Sequence, residues 1–426
     1  MIANAELQTD SSEGPNLSNM RIVSLLVPVP SGMYVAHCSL SRSLAQRGCS
    51  TTWLCSGLSN AQQVAASGIF PADGEIVSPE TDNLNVRTRA LIKRISEISP
   101  DVLMCHALGD PSELNAVRYL PDSIHRILVV HSTSIATYRG ASAVREYVDA
   151  AVAISPRIKE DLIYAYGFRE ESIHLIPNGI NESAYSNCAS SKSRTSRLRI
   201  LSHGRIAKDK GVFLIPEILS RLDRHSDQWE CTISGDGPVR EELVRRLVRF
   251  GLSKRVRFIG WTASADVPEL MSQHDVLLFP TVHEGFGTVL VEAMAGGCVP
   301  IASRLPGVTD WIIEDGRTGL LFPVRNVGRA VQHLLGLLSN RRQLAELRQR
   351  VLETAGRFSM GEIAEQYHRL LSVVQTLPRQ TRSAEYLDTC ELADGLRPAW
   401  WYGLPEPIKD QLRLIRETIR TFVRIP

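Results

Sequence analysis

The chain lacks an excess of charge of either sign. Its 426 residues include 48 Lys and Arg against 46 Asp and Glu, which gives a formal net charge of +2 at pH 7. With 43% hydrophobic residues as well, this composition is typical of a soluble globular protein and argues against a disordered chain or a dedicated nucleic-acid binder. We therefore expect no nucleic-acid partner. At about 100–200 residues per domain, the length predicts two domains or more.

Long hydrophobic runs are also missing. Runs such as residues 22–30, interrupted by Ser24, are far shorter than the roughly 18 residues that a membrane span needs. Residues 1–20 are acidic and polar, without the basic start and apolar centre of a signal peptide, which predicts a flexible tail and a cytoplasmic protein. The eight cysteines contain no C-x-x-C pair, so we expect neither a zinc knuckle nor a thioredoxin-type redox site.

Several motifs of nucleotide-dependent enzymes are absent. No G-x-x-x-x-G-K-[ST] string or G-x-S-x-G string occurs, which argues against the standard ATPase loop and the nucleophile elbow. The stretches 235–237 and 285–287 begin like a dinucleotide fingerprint, but Arg240 and Leu290 stand where its third glycine belongs. No D-x-D pair occurs either, which argues against a diphosphate held by metal in that way. We expect no nicotinamide and no metal cofactor.

What the sequence does contain is a regular alternation of short apolar runs and amphipathic stretches from residue 21 onward, as in β-α-β units. The first series predicts strands at 21–26, 51–55, 101–104, 125–130, 149–153 and 173–175, and helices at 35–47, 85–97 and 156–164. A second series predicts strands at 198–203, 230–234, 256–259, 276–279, 298–302 and 319–322, and helices at 212–224, 238–250 and 286–296. The pattern is typical of α/β domains with doubly wound parallel sheets.

The two series imply two Rossmann-like domains that face a central cleft. We predict domains over residues 21–180 and 197–360, joined by a Ser- and Asn-rich linker over 181–196. A helix over 361–380 is expected to return to the first domain, and an extension follows over 381–426.

The extension carries an aromatic cluster at residues 400–402 and then a helix-like stretch from Ile408 to Val423 with arginines beside its apolar face. A helix of this kind could lie on an anionic lipid surface, which would give the protein a peripheral membrane contact on the cytoplasmic face. The alternative is that the stripe packs on the rest of the protein, as such stripes usually do.

The densest candidate site is the stretch 284–292, which follows an apolar strand. If Glu284 lies in the strand-to-helix loop and Glu292 two turns into the helix, the helical rise separates them by about 12 Å, comparable to a nucleotide sugar measured from sugar to ribose. Gly285 and Gly287 would allow close backbone approach, and free N–H groups at the helix start could hold a diphosphate. The alternative is a solvated helix cap with Glu292 on an exposed face.

A second candidate site is the basic turn over residues 204–211, again between a strand and a helix. Arg205 supplies a planar fork for two phosphate oxygens and Lys210 a compact charge, so together they could neutralise a diphosphate leaving group without a metal. The alternative is a basic turn that is merely solvated.

These residues, with others in the same order along the chain, resemble the retaining, nucleotide-sugar-dependent glycosyltransferase family 4, whose members have the two-domain GT-B fold. In the second half the matches are Gly204-Arg205, Lys210-Gly211, residues 235–238, 258–260 and 284–296, Pro300, Pro306-Gly307 and residues 319–323. In the first half they are Leu44-Ala45, Arg47-Gly48, Val130-His131 and residues 153–155 and 176–180.

The resemblance implies a donor site in the second domain. Arg205 and Lys210 would stabilise the diphosphate, Glu292 would accept hydrogen bonds from the ribose hydroxyls, and Glu284 would contact the donor sugar near the reacting centre. The stretch at the helix start would add backbone contacts, from Gly285, Phe286, Gly287 and Thr288. The co-substrate would be a nucleoside diphosphate sugar, transferred with retention of anomeric configuration and without a divalent metal.

In the first domain, which would bind the acceptor, the resemblance implies two further donor contacts. Gly32 matches a flexible glycine loop near the phosphate, although the family usually has paired glycines where this chain has Ser31-Gly32. His131 matches a histidine that contacts the transferred sugar, and His106 at the preceding strand end competes for that role. The acceptor is undefined by the sequence, with polysaccharide, glycolipid and lipid-linked acceptors all open. A sugar-nucleotide-binding protein without turnover, or a GT-B epimerase or phosphorylase, is the alternative function.

Overall fold

The structure is a computed structural model that describes residues 17–27, 32–57, 74–77, 81, 83–106, 110–186, 188, 197–378 and 408. The aromatic cluster at 400–402 lies outside the described residues, as does the amphipathic stretch after Ile408. The same holds for residues 1–16 of the predicted tail.

In the described residues, the first domain is built on a sheet of seven parallel strands in the order β3-β2-β1-β4-β5-β6-β7. The strands are β1 (Arg21–Leu25), β2 (Ser50–Ser56), β3 (Gly74–Val77), β4 (Val102–Cys105), β5 (His125–Val130), β6 (Ala150–Ala153) and β7 (Ile173–Leu175). Sequence periodicity predicts all of them except the edge strand β3. Its helices are α1 (Gly32–Ala45), α2 (Leu84–Ile98), α3 (Pro111–Tyr119), α4 (Ile135–Ala143), α5 (Pro156–Glu160) and α6 (Glu182–Ser186).

The second domain repeats this plan with six parallel strands in the order β10-β9-β8-β11-β12-β13 among the described residues. The strands are β8 (Leu198–His203), β9 (Trp229–Ser234), β10 (Val256–Gly260), β11 (Val276–Phe279), β12 (Val299–Arg304) and β13 (Leu320–Pro323). The helices are α7 (Leu214–Asp223), α8 (Arg240–Arg249), α9 (Val267–Ser272), α10 (Thr288–Ala295), α11 (Thr309–Ile312), α12 (Val327–Ser339), α13 (Arg341–Ala355) and α14 (Met360–Thr376). The predicted fold class, two doubly wound α/β domains, is confirmed.

Two of the predicted boundaries shift in the structure. Leu17 and Met20 are each 2% exposed and belong to the core of the first domain, so that domain includes part of the predicted tail. At the other end, the first residues of the predicted linker form α6, because Tyr185 is buried in the core and fixes this short helix against the protein. Composition alone missed both, since one or two apolar anchors do not create a periodic pattern.

Helix α14 lies against α1 of the first domain. Ile363 and Tyr367 are buried in the same core as Leu40 and Leu44 of α1. Just before α14, the backbone N–H of Ile180 in the first domain donates to the carbonyl oxygen of Phe358. The chain therefore crosses from the second domain back to the first. No helix in the described part of the chain is long and apolar enough to cross a membrane.

Candidate active site

A cavity of about 610 Å³ lies between the domains, at the carboxyl ends of the second sheet. Between β8 and β11 the strand order changes direction, and the loops that follow these two strands diverge to leave a crevice. The cavity wall contains most of the predicted site residues, namely Gly32, Arg205, Lys210, Glu284, Gly287, Thr288 and Glu292. Two loops far apart in sequence and the start of α1 thus converge on one space.

The loop after β8 presents its cations to this cavity. Lys210 ends a short 3-10 turn, and its Nζ lies 2.7 Å from Oε2 of Glu284 in the loop after β11. Arg205 is more open: 59% of its side chain is exposed, and it pairs with Asp209 at 2.8 Å. Both cations are therefore held by carboxylates in this structure, Lys210 across the cavity and Arg205 within its own loop.

Backbone hydrogen bonds fix the two loops to each other. The N–H of Val282 donates to the carbonyl of Asp209 at 3.0 Å, and the hydroxyl of Thr281 donates to the same oxygen at 3.3 Å. Because the bonds run between loops after neighbouring strands, the Lys210–Glu284 pair sits on a rigid base. The position of one cation thus depends on both loops.

The N-terminus of α10 opens onto the same cavity. Gly287 precedes the helix with φ 97°, has no side chain with which to cap it, and lines the cavity with Thr288 and Val289. The first N–H groups of a helix have no partner inside it, and the helix dipole adds partial positive charge there. This end of α10 can therefore bind an anionic group.

Glu292 lies closer to this helix start than the sequence suggested. Because α10 begins at Thr288, Glu292 is one turn into the helix, about 6 Å of helical rise, and the 12 Å separation from Glu284 estimated from continuous helix does not apply. Burial raises the pKa of the Glu292 carboxyl to about 7. The group can thus change its charge near neutral pH.

Three predicted site residues do not line the cavity that the described residues form, namely Gly285, Phe286 and His131. Phe286 is 2% exposed and packs edge-on against Trp311 and Phe358. Gly285 meets the backbone of His131, since a Cβ built on Gly285 would lie 2.3 Å from that residue's carbonyl oxygen. The side chain of Phe286 therefore anchors the loop, and Gly285 allows the two domains to approach.

Sequence reasoning missed a polar chain of three residues that also line the cavity. Nδ1 of His203 lies 2.9 Å from the hydroxyl of Ser234, which lies 2.7 Å from the hydroxyl of Thr262. Burial lowers the pKa of His203 to about 4, so this chain is neutral at physiological pH. Trp261, 59% exposed, lines the cavity beside it. These residues lie at or just after the carboxyl ends of three different strands, and the rule that ligands bind at such ends was the signal that could have found them.

His131 itself belongs to a cluster of imidazoles in the first domain. Its Nε2 lies 2.9 Å from Nδ1 of His106, and the two rings stack with centroids 5.2 Å apart. Thr133, two residues further on, contacts the second domain and donates to the carbonyl of Glu284 at 3.3 Å. Within the described ranges, no group of three or more His, Cys, Asp and Glu side chains could hold a metal ion.

Comparison with known proteins finds a matching family model for each half of the chain. The family model of Glycosyltransferase Family 4 matches residues 31–184, and that of Glycosyl transferases group 1 matches residues 187–357. Among solved structures, HepE from Anabaena, in complex with UDP and glucose, has a TM-score of 0.69 at 19% identity and aligns over 83% of this chain and 100% of its own.

Curated relatives match over shorter stretches. The alpha-D-kanosaminyltransferase of Streptomyces kanamyceticus is 26% identical over 265 residues, which are 59% of this chain and 67% of that protein. The GDP-mannose:cellobiosyl-diphosphopolyprenol alpha-mannosyltransferase of Komagataeibacter xylinus is 27% identical over 214 residues, 49% of this chain and 53% of that protein. The chain thus spans about half the length of the second relative. With a family model on each domain and two doubly wound sheets around a common cleft, the chain belongs to the family 4 type of GT-B glycosyltransferases.

Proposed function

We propose that this protein transfers a sugar from a nucleoside diphosphate sugar to an acceptor hydroxyl, with retention of anomeric configuration and without a divalent metal. The observation that carries the proposal is the arrangement around the cavity. Arg205, Lys210 and the N-terminus of α10 all offer positive charge to one space, as a diphosphate requires.

The rest of the donor fits around that diphosphate. Glu292 lies within one turn of the helix start, where a ribose next to the diphosphate would lie, and an ionised carboxylate there accepts hydrogen bonds from its hydroxyls. Trp261 offers an exposed indole face on which a nucleobase can stack, with the neutral chain from His203 to Thr262 beside it. The structural neighbour HepE was solved in complex with UDP, which is a nucleoside diphosphate.

The proposed reaction needs no protein nucleophile. The bond between the anomeric carbon and the diphosphate oxygen breaks, and the acceptor oxygen bonds to that carbon on the same face. The acceptor proton passes to the leaving diphosphate, whose developing charge Arg205, Lys210 and the α10 N–H groups stabilise. Glu284 pairs with Lys210, and it would contact the donor sugar once the cation turns to phosphate.

The acceptor would bind to the first domain, across the cleft from the donor. Polysaccharide, glycolipid and lipid-linked acceptors all present the required hydroxyl, and one relative acts on a diphosphopolyprenol-linked sugar. The acceptor group is a hydroxyl, reached in the cytoplasm or at its membrane face.

The test is turnover of a panel of nucleotide sugars in the presence of EDTA, with and without a mixture of candidate acceptors. We expect one donor to release its nucleoside diphosphate, and Arg205→Ala, Glu292→Ala and Trp261→Ala each to weaken that reaction. Proton NMR of the product's anomeric position would report retention. Donor binding without turnover would support the binding-protein alternative, and a strict need for divalent metal would contradict the proposed role of the cations.

A further inference from the structure

The first domain contacts the loop that leads into α10 at its start. We name this loop, residues 283–288, the donor loop. Oγ1 of Thr133 lies 3.3 Å from Nε2 and 3.5 Å from Nδ1 of His283, and it donates to the carbonyl oxygen of Glu284 at 3.3 Å. Thr133 is 4% exposed, so its hydroxyl is enclosed at the contact between the two domains. A residue of the first domain thus holds the main chain of a predicted donor contact.

Two more contacts with the first domain follow along the donor loop. A Cβ atom built on Gly285 would lie 2.3 Å from the carbonyl oxygen of His131, so the two backbones touch. At the other end of the loop, Nδ2 of Asn178 lies 3.5 Å from Oγ1 of Thr288. Both domains therefore shape the donor loop, and its conformation in this structure belongs to a closed cleft.

The second domain holds the donor loop in a different way. The N–H of His283 donates to the carbonyl of Asp209 at 3.2 Å, which ties the first residue of the loop to the turn after β8. At Glu284 the second domain contacts the side chain, through Nζ of Lys210 at 2.7 Å. The carbonyl of Glu284 accepts from Thr133. Side chain and main chain of Glu284 are thus held from opposite domains.

This division has a consequence when a donor enters the cavity. In the proposed function Lys210 turns to the diphosphate, and the Glu284 carboxylate then loses the cation that orients it. The hydrogen bond from Thr133 to the carbonyl of the same residue takes no part in that exchange, so it can keep the main chain in place. Closure of the cleft and placement of Glu284 are then one event.

We propose that Thr133 is a positioning residue of the first domain. Its hydroxyl holds the donor loop at Glu284 when the cleft is closed, so that the Glu284 carboxylate meets the donor sugar. The effect on the sugar rests on the proposed function, whereas the hold on the loop does not. Loss of one such hydrogen bond corresponds to about a 2- to 12-fold change in a rate or an equilibrium constant.

The direct test is hydrogen–deuterium exchange of the full-length protein, measured by mass spectrometry on a peptide that covers the donor loop. Thr133→Val removes the hydroxyl but keeps the branched shape, and Thr133→Ser keeps the hydroxyl. We expect the amides of the donor loop to exchange about 2- to 12-fold faster in Thr133→Val and at the wild-type rate in Thr133→Ser.

Thr137→Val is the matched control for this measurement. It removes a threonine hydroxyl four residues away, which lies 2.8 Å from the hydroxyl of Ser134 in the same domain, and it should leave exchange of the donor loop unchanged. Three results would overturn the proposal: an unchanged donor loop in Thr133→Val, equally fast exchange in Thr133→Ser, or the same effect in Thr137→Val. Should Thr133→Val not fold, Thr133→Ala is measured in its place.

Kinetics give a second readout, which a merely structural role would not produce. Because Lys210 and α10 still hold the diphosphate, Thr133→Val should lower kcat about 2- to 12-fold with little change in the donor KM, and Thr133→Ser should recover kcat. A higher donor KM with unchanged kcat would contradict the placement of Glu284. Hydrogen exchange needs no turnover, so it decides the hold on the loop even if the transferase proposal fails. An active enzyme with unchanged exchange in Thr133→Val would contradict this inference alone.

Discussion

Gly285 and His131 belong to different domains, and a Cβ atom added to Gly285 would lie 2.3 Å from the carbonyl oxygen of His131. This contact brings the loop that starts α10 against the strand end that holds the imidazole cluster. The two domains therefore meet through backbone atoms, at a place with no room for a side chain on residue 285.

We expect Gly285→Ala to impair catalysis while each domain keeps its fold. The methyl group must push the loop away from His131, and overpacking of this kind costs about 1–3 kcal/mol. If this cost falls on the catalytic arrangement, kcat/KM falls about 5- to 150-fold. Gly336→Ala on α12 is the matched control, since a Cβ there meets no atom within 4 Å. Steady-state kinetics and thermal unfolding of both variants check this. Equal activity of the two would show that the domains need not approach so closely.

Lys210→Ala should lower kcat much more than Lys208→Ala, although the two lysines stand in one turn. Lys210 faces the cavity and lies 2.7 Å from Glu284, whereas Lys208 is exposed outside it. Loss of one group that stabilises transition-state charge typically costs about 100-fold or more in kcat. Rates of nucleoside diphosphate release with saturating donor measure the difference. Similar rates for both variants would remove Lys210 from the proposed leaving-group site.

Donor affinity should rise between pH 6 and pH 8. With its pKa raised to about 7 by burial, Glu292 is mostly protonated at the lower pH and mostly ionised at the higher one. The ionised carboxylate is the stronger acceptor for ribose hydroxyls. Calorimetric titration with an intact nucleotide sugar is suitable, because its diphosphate does not titrate in this range. The change should vanish in Glu292→Gln, and a slope that persists in that variant would assign the effect to another group.

Stability should fall with rising pH because of Glu113, a carboxyl buried in the first domain. Its Oε1 accepts from the N–H of Ser56 at 2.9 Å, and burial raises its pKa to about 8. Between its unfolded pKa near 4.5 and pH 8, the native state holds a proton that the unfolded chain has lost. Stability from this group is therefore complete below pH 4.5 and is lost as pH rises through 8.

Glu113→Gln keeps an acceptor for Ser56 but cannot ionise, so its stability should depend less on pH. Relative to the variant, the wild type should lose roughly 2 kcal/mol between pH 6 and pH 8. Thermal unfolding of both proteins across this range gives the comparison. Parallel curves would mean that Glu113 stays ionised in the native protein.

The sequence predicts most of the fold because buried parallel strands are continuous apolar runs. The strand it misses, β3, has the sequence Gly-Glu-Ile-Val and is half-buried along its length, so no run marks it. The periodicity also fails to predict helix α3. Its sequence does contain a standard helix start, Asp110 before Pro111. In the structure the Asp110 carboxylate accepts from the backbone N–H groups of Ser112 and Glu113.

The candidate site also has one part that the sequence predicts and one part that it does not. Arg205, Lys210, Glu284 and Glu292 belong to compact motifs, and adjacency of strand ends brings those motifs together. The partnership of His106 with His131 has no sequence signature, because it depends on a side-chain distance between two strand ends 25 residues apart. Local patterns thus predict which loops meet, but the pairing of particular atoms requires the packed structure.

Helix α14 has a consequence for the order in which the protein is made. Since its Ile363 and Tyr367 fill part of the core of the first domain, that domain is incomplete until the ribosome has synthesised residues 360–376. The apolar face of α1 therefore stays uncovered in the nascent first domain while the whole second domain is translated. A separately expressed first domain would need this helix supplied in trans, as a peptide, to be complete.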